Sequence, residues 1–118
     1  MQKLFDKIGG LEGIEKFLDS FYQIVLSDER VKDYFKNIDL VTLKSHQSFF
    51  LSYVFGGVPE YTRLSLRESH LNLKITHEGF DATVEDMITA LEIQKVDSET
   101  INEVATILES TRQDIVTI

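Results

Sequence analysis

The side chains best suited to hold a metal or to move a proton near neutral pH are three histidines, His46, His70 and His77. The 118-residue sequence has no cysteine, which removes thiolate ligands, iron–sulfur clusters, disulfides and thiol nucleophiles together. Any metal must then be held by imidazole or carboxylate. No His-Glu-x-x-His stretch, Gly-x-Ser-x-Gly turn, glycine-rich phosphate loop or calcium-loop pattern occurs, so metalloprotease, hydrolase and nucleotide-binding chemistry lose their usual support. Acid pairs such as Glu85-Asp86 are expected on polar helix faces, which leaves paired-carboxylate catalysis without a site.

His70 falls in phase with Leu66 and Leu73, so its ring should point inward, either satisfied by a hydrogen bond or bound to a metal. His46 and Gln47 share a helical surface with Leu43 and Phe50, which puts two polar groups on an otherwise apolar face. An interior amide is costly unless something meets its donors and acceptor. Tyr22 brings bulk to an inner helical stripe, together with one hydroxyl that needs a partner. Phe21, Phe35, Phe49, Phe50, Phe55 and Phe80 read first as packing, and His77, next to a helix cap at Thr76, reads as solvated.

Helices must position these groups. Leu11, Ile14, Leu18, Phe21, Tyr22, Val25 and Leu26 recur at three and four, predicting an amphipathic helix that ends near Ser27-Asp28. A short apolar knot follows at Val31, Tyr34, Phe35 and Ile38. Asp39 then caps a second long helix through Leu40, Leu43, Gln47, Phe50, Leu51 and Val54, which stops at Gly56-Gly57. Val58 to Arg63 reads as a loop, and a short third helix from Leu64 to Leu73 carries His70. Thr76 caps a helix with inner residues Phe80, Val84, Met87, Ile88 and Leu91; Asp97 or Ser98 caps a last one running through Ile115. No strand pair is visible, so the expected class is all-α.

Length and composition agree with one domain over residues 1–118: 42% of residues are apolar and 27% charged. Twelve basic against twenty acidic residues give a net charge of −8, which on average repels nucleic acid and anionic membrane surfaces. No stretch has the length of a membrane span, and charges interrupt Met1 to Ser20, so the expected location is cytoplasmic.

Taken in order, Lys7-Ile8-Gly9-Gly10, Phe21-Tyr22, Val25-Leu26, Tyr34-Phe35, Leu43-Lys44-Ser45-His46-Gln47, Phe55-Gly56-Gly57, Tyr61-Thr62, Arg67-Glu68-Ser69-His70, Ile75-Thr76 and Phe80-Asp81 resemble a group 1 truncated haemoglobin along nearly the whole chain. The resemblance implies a two-over-two helical sandwich around a haem b. It makes His70 the proximal iron ligand and Phe35 the aromatic packed on the porphyrin. On the distal side it places Tyr22 and Gln47 against the bound gas, with Leu43 apolar beside them. A phenol and an amide N–H suit this task, because the outer atom of a dioxygen ligand is partly negative. His46 either binds the iron directly, giving a six-coordinate resting haem, or lies near a propionate.

By position, Lys44, Arg63 and Arg67 are the propionate partners. After the ligand histidine the sequence reads Leu71-Asn72-Leu73-Lys74, where many members of the family carry a glycine-containing turn. The implied function is binding of dioxygen, nitric oxide and carbon monoxide, for transport or storage. The alternative is a haem enzyme, either a nitric oxide dioxygenase served by an electron-donating reductase or one with peroxidase or electron-transfer chemistry. A haem-free helical interaction module would instead be colourless and would leave Tyr22, His46 and Gln47 without a task.

Overall fold

A computed structural model of the chain describes residues 3–57 and 74–116. Among the described residues the elements are α1 (Leu4–Ile8), α2 (Gly10–Val25), a 3-10 turn (Lys32–Phe35), α3 (Leu40–Val54), α4 (His77–Ile93), α5 (Ser98–Glu109) and α6 (Arg112–Ile115). No strand is among them, and no described helix is long and apolar enough to cross a membrane. The expected loop from Val58 and the short helix bearing His70, together with Arg63 and Arg67, lie outside the described residues.

The all-α expectation holds, and the long helices start where their caps predict. Asp39 accepts from the Val41 N–H, Thr76 from Gly79 and Asp97 from Thr100. Helix α2 is the hub, packed on α1, α3 and α4, while α4 in turn packs on α5 and α6. Its inner stripe, Ile14, Phe17, Leu18, Phe21 and Val25, is at most 1% exposed, and it meets Ala90 and Leu91 of α4 and Val104 of α5 in one core. Each fully buried large side chain contributes about 1.5–3 kcal/mol of transfer free energy, so this stripe sets the frame of the molecule.

Three features depart from the sequence reading. A short helix, α1, precedes the first long one. It buries Leu4 and Ile8 and turns into α2 through Gly9 and Gly10 at φ 105° and 68°, backbone that glycine adopts without penalty. The tight return needs Gly13 too, because a Cβ there would overlap the Ile8 carbonyl. The last helix does not run unbroken to Ile115. The Ser110 and Thr111 hydroxyls bond back to the carbonyls of Ile107 and Leu108, competing with the helical ladder, and a separate turn, α6, follows.

The third departure is Asp86, expected on a polar face but only 6% exposed. It sits beside Asp28 and Arg30 of the turn after α2. Arg30 donates to Asp28 through Nε and Nη2 at 3.0 and 2.8 Å and to Glu85 at 2.7 Å, and its Nη2 lies 4.0 Å from Asp86 Oδ1. Burial, followed by the hydrogen bond and charge of Asp28, pushes the Asp86 carboxyl up to about 7. Arg30 first, and Asp86 second, hold Asp28 well below the usual carboxylate range. Asp86 is therefore the acid of the pair that keeps its proton, and Arg30 balances the charge on Asp28.

Candidate functional site

A cavity of about 170 Å³ lies between α2, the 3-10 turn, α3, α4 and the α5–α6 junction. Phe21 and Phe35 form one side, with ring centres 6.3 Å apart and planes at 77°, an edge-on contact. Phe21 also packs against Phe17 and Tyr22, which locks the rings facing the cavity to the core of α2. Leu43, His46, Gln47 and Phe50 enter from α3, and Phe80, Val84 and Met87 from α4. The expected apolar aromatics divide: Phe21, Phe35, Phe50 and Phe80 line the cavity, Phe55 is buried beside α1, and Phe49 is exposed.

The polar groups of the lining are unevenly placed. Thr83 and Thr111 were not anticipated, and neither offers its hydroxyl proton to the cavity. Thr83 Oγ1 donates to the Gly79 carbonyl at 2.8 Å and Thr111 Oγ1 to Leu108 at 2.6 Å. The Tyr34 hydroxyl accepts from the Thr76 N–H at 3.5 Å. The lining side chains that can donate to a guest are thus Gln47 and His46 on α3, the latter exposed yet lining the cavity, and Tyr34, whose hydroxyl proton is not used in accepting from Thr76. No local pattern marks Thr83 or Thr111, because their roles follow from the helix–helix packing.

Tyr22 is 7% exposed, and its hydroxyl donates to Gln47 Oε1 across the α2–α3 contact. Burial first, with the Asp19 carboxylate second, pushes the phenol well above its ordinary value, so it stays protonated and remains a donor. A phenol has one proton. Tyr22 itself does not line the cavity; with its proton given to Gln47 Oε1, Gln47 is the member of the pair that does, and its N–H donors are left for a guest.

Lys44, one turn before Gln47, meets Asp19 at 2.8 Å and does not line the cavity. His77 is exposed as expected, with Nδ1 3.1 Å from an Arg112 nitrogen. The guanidinium is always a donor, so Nδ1 is placed to accept from it. Arg112 also stacks over Phe80 at 4.5 Å and pairs with Asp81 and Glu109.

Among the described residues no group of three or more His, Asp or Glu side chains could hold a metal ion. A flat apolar ring system carrying its own metal would ask the protein only for imidazole, and His46 offers one in the lining. A haem meets that description, and the aromatic walls fit it.

Residues 3–117 match the family model described as bacterial-like globin. The chain is 37% identical over 111 residues to a group 1 truncated hemoglobin of Synechocystis, covering 91% of this chain and 90% of the relative. It is 34% identical over 114 residues to one from Tetrahymena pyriformis, covering 97% and 94%. Among solved structures, the 2/2 hemoglobin of Synechococcus in its cyanomet state with covalently attached heme superposes with a TM-score of 0.93 at 33% identity, covering 99% of this chain and 100% of that one.

Proposed function

The chain belongs to the bacterial-like globins, as a group 1 truncated haemoglobin, and from that premise we propose that it reversibly binds dioxygen at a b-type haem whose proximal ligand is His70. Membership itself implies haem-based binding of diatomic ligands. The observation that carries the finer reading is the Tyr22–Gln47 hydrogen bond, which ties a buried phenol to an amide that lines the cavity. When bound, the haem supplies an iron with an axial position that a diatomic gas can take.

The chain's own residues do the rest. Phe35 and Phe21 give the porphyrin an aromatic wall, and Leu43 excludes water beside it. Tyr22 fixes the Gln47 amide so that its N–H groups face the partly negative end of a dioxygen guest, a bond made stronger by the dry surroundings. His46, exposed yet lining the cavity, would be a second imidazole able to hold the iron; where it bound, apparent gas affinity would fall by the fraction of sites it closed. Arg63 and Arg67 are the propionate partners in this reading, since Lys44 is already engaged by Asp19. Carbon monoxide and nitric oxide would use the same position, and the place of work is the cytoplasm.

Visible spectra of the oxidised and reduced protein test the proposal. A strong Soret band with low-spin bands in the absence of added ligand is expected. His70→Ala should lose haem, whereas His46→Leu should keep it and change the spectrum to five-coordinate. Haem retained unchanged in His70→Ala would reject the proximal assignment, and an unaltered spectrum in His46→Leu would reject the distal one.

A further inference from the structure

One contact between α2 and α3 lies off the cavity lining. Asp19 of α2 and Lys44 of α3 form an ion pair of 2.8 Å, and Tyr22 and Gln47, three residues further along the respective helices, form the hydrogen bond at the cavity wall. Both helices advance by three residues between the two contacts, about 4.5 Å of helix axis. The contacts are consecutive rungs of one ladder, so the rotation and height of α3 that close one also close the other.

Helix α3 buries Leu51 in the core, with Leu43, Phe50 and Val54 packed against it, but its inner face is not purely apolar. Its apolar residues are spread around it: Val41 is 81% and Phe49 53% exposed, while Ser48 and Ser52 are buried at 8% and 5%. Burial of apolar surface gives a helix a preferred rotation only when one stripe is apolar, and here outward apolar and inward polar residues oppose that preference. Polar contacts with defined partners then refine the angle that this burial leaves, and a hydrogen bond to a ligand tolerates only a few tenths of an ångström.

We propose that Asp19 and Lys44 are positioning residues for the gas site: their ion pair holds α3 at the rotation that presents the Gln47 N–H donors to the cavity. The inference rests on the reading of Gln47 as a ligand donor. It assigns to Lys44 the task of placing Gln47 in preference to contacting the haem edge. The pair is half open to water, with side chains 62% and 29% exposed, so its contribution to overall stability is small and its effect on the site can be read separately.

The test uses the full-length, haem-loaded protein with Asp19→Asn, Lys44→Met, Lys44→Arg and the exchanged pair Asp19→Lys/Lys44→Asp. Two quantities are measured: the dioxygen dissociation rate, and the nuclear magnetic resonance positions of the Gln47 side-chain amide in the carbon monoxide form. In Asp19→Asn and Lys44→Met the amide signals should move and dissociation should quicken about five-fold, as for a hydrogen bond weakened by misalignment. Lys44→Arg and the exchanged pair should return both toward wild type, and salt should weaken the wild-type arrangement. Unmoved amide signals in both single variants, or failure of the exchange to restore them, would overturn the proposal. So would faster haem loss in Lys44→Met with Gln47 undisturbed, which marks a propionate contact. If the protein takes up no haem, the gas-binding reading fails instead, and the amide signals of the protein as isolated still decide whether the ion pair places Gln47.

Discussion

Helices α2 and α3 face the same cavity and are held by different means. Helix α2 is anchored by a continuous apolar stripe from Ile14 to Val25 and has partners on three sides. Helix α3 buries two serines, with Ser52 Oγ turned back to the Ser48 carbonyl at 2.7 Å, and leaves Val41 and Phe49 exposed. Leu51 anchors it in the core, and a few directional contacts refine its position: the Asp39 cap, the Lys44–Asp19 ion pair and the Gln47–Tyr22 hydrogen bond. A frame made by area is insensitive to any one polar change, while a sensing element made by directional contacts responds to each of them. Segments that must adjust to a ligand are drawn from the less strongly held part of a structure.

Substitutions on the two helices can break or sharpen this contrast. The largest effect is expected at Leu18, fully buried in α2: Leu18→Ala should cost about 2–5 kcal/mol, read as a lower urea midpoint with little change in slope. A loss below about 1 kcal/mol would mean that α2 is not the anchor described above.

Tyr22→Phe comes next and carries the contrast across the interface. It removes the hydroxyl from Gln47 Oε1 while keeping the ring, so stability should fall by about 1 kcal/mol. Dioxygen dissociation should quicken roughly ten-fold as the amide loses its orientation. Equal dissociation rates in mutant and wild type would show that Gln47 needs no support from α2.

The frame has one polar exception, the Asp28–Asp86 pair, and it titrates. Asp86 holds its proton up to about pH 7 when folded, whereas an unfolded aspartate releases it near pH 4, so the folded state binds more protons between those values. Stability must fall as pH rises through that window, by on the order of 1 kcal/mol after screening by solvent around Arg30. Asn cannot lose a proton but still donates to Asp28, so Asp86→Asn should flatten the profile between pH 4 and 7 and be the more stable protein at pH 8. Denaturant midpoints across pH decide this, and parallel profiles for the two proteins would refute a proton retained on Asp86.

The smallest effect belongs to Val41→Ser on the outer side of α3, expected within about 0.5 kcal/mol of wild type because the side chain is 81% exposed. A large loss there would mean that the outer side of α3 is held by apolar burial as well.

The same contrast decides what could be read from the sequence. Helices α2, α3 and α4 and the caps Asp39, Thr76 and Asp97 were legible because periodicity and capping are local signals. Helix α1, one turn long, has no room for a period. The break at Ser110-Thr111 depends on which carbonyl each hydroxyl takes, and the burial of Asp86 depends on Asp28 and Arg30 arriving from another element. At the cavity, Tyr22, Leu43, His46 and Gln47 were legible as types through their resemblance to a family. That the phenol proton goes to Gln47 Oε1, and that Lys44 finds Asp19, are facts of the α2–α3 crossing which neither helix encodes alone.

The Thr83 and Thr111 hydroxyls spend their protons on backbone carbonyls, so toward the cavity they have only acceptor lone pairs left. With Phe80, Val84 and Met87 beside them, that side holds water less firmly than free donors would and is hospitable to a small nonpolar gas. On the proposed reading, a guest released from Gln47 would rest against it, and rebinding from there would compete with escape to the bulk.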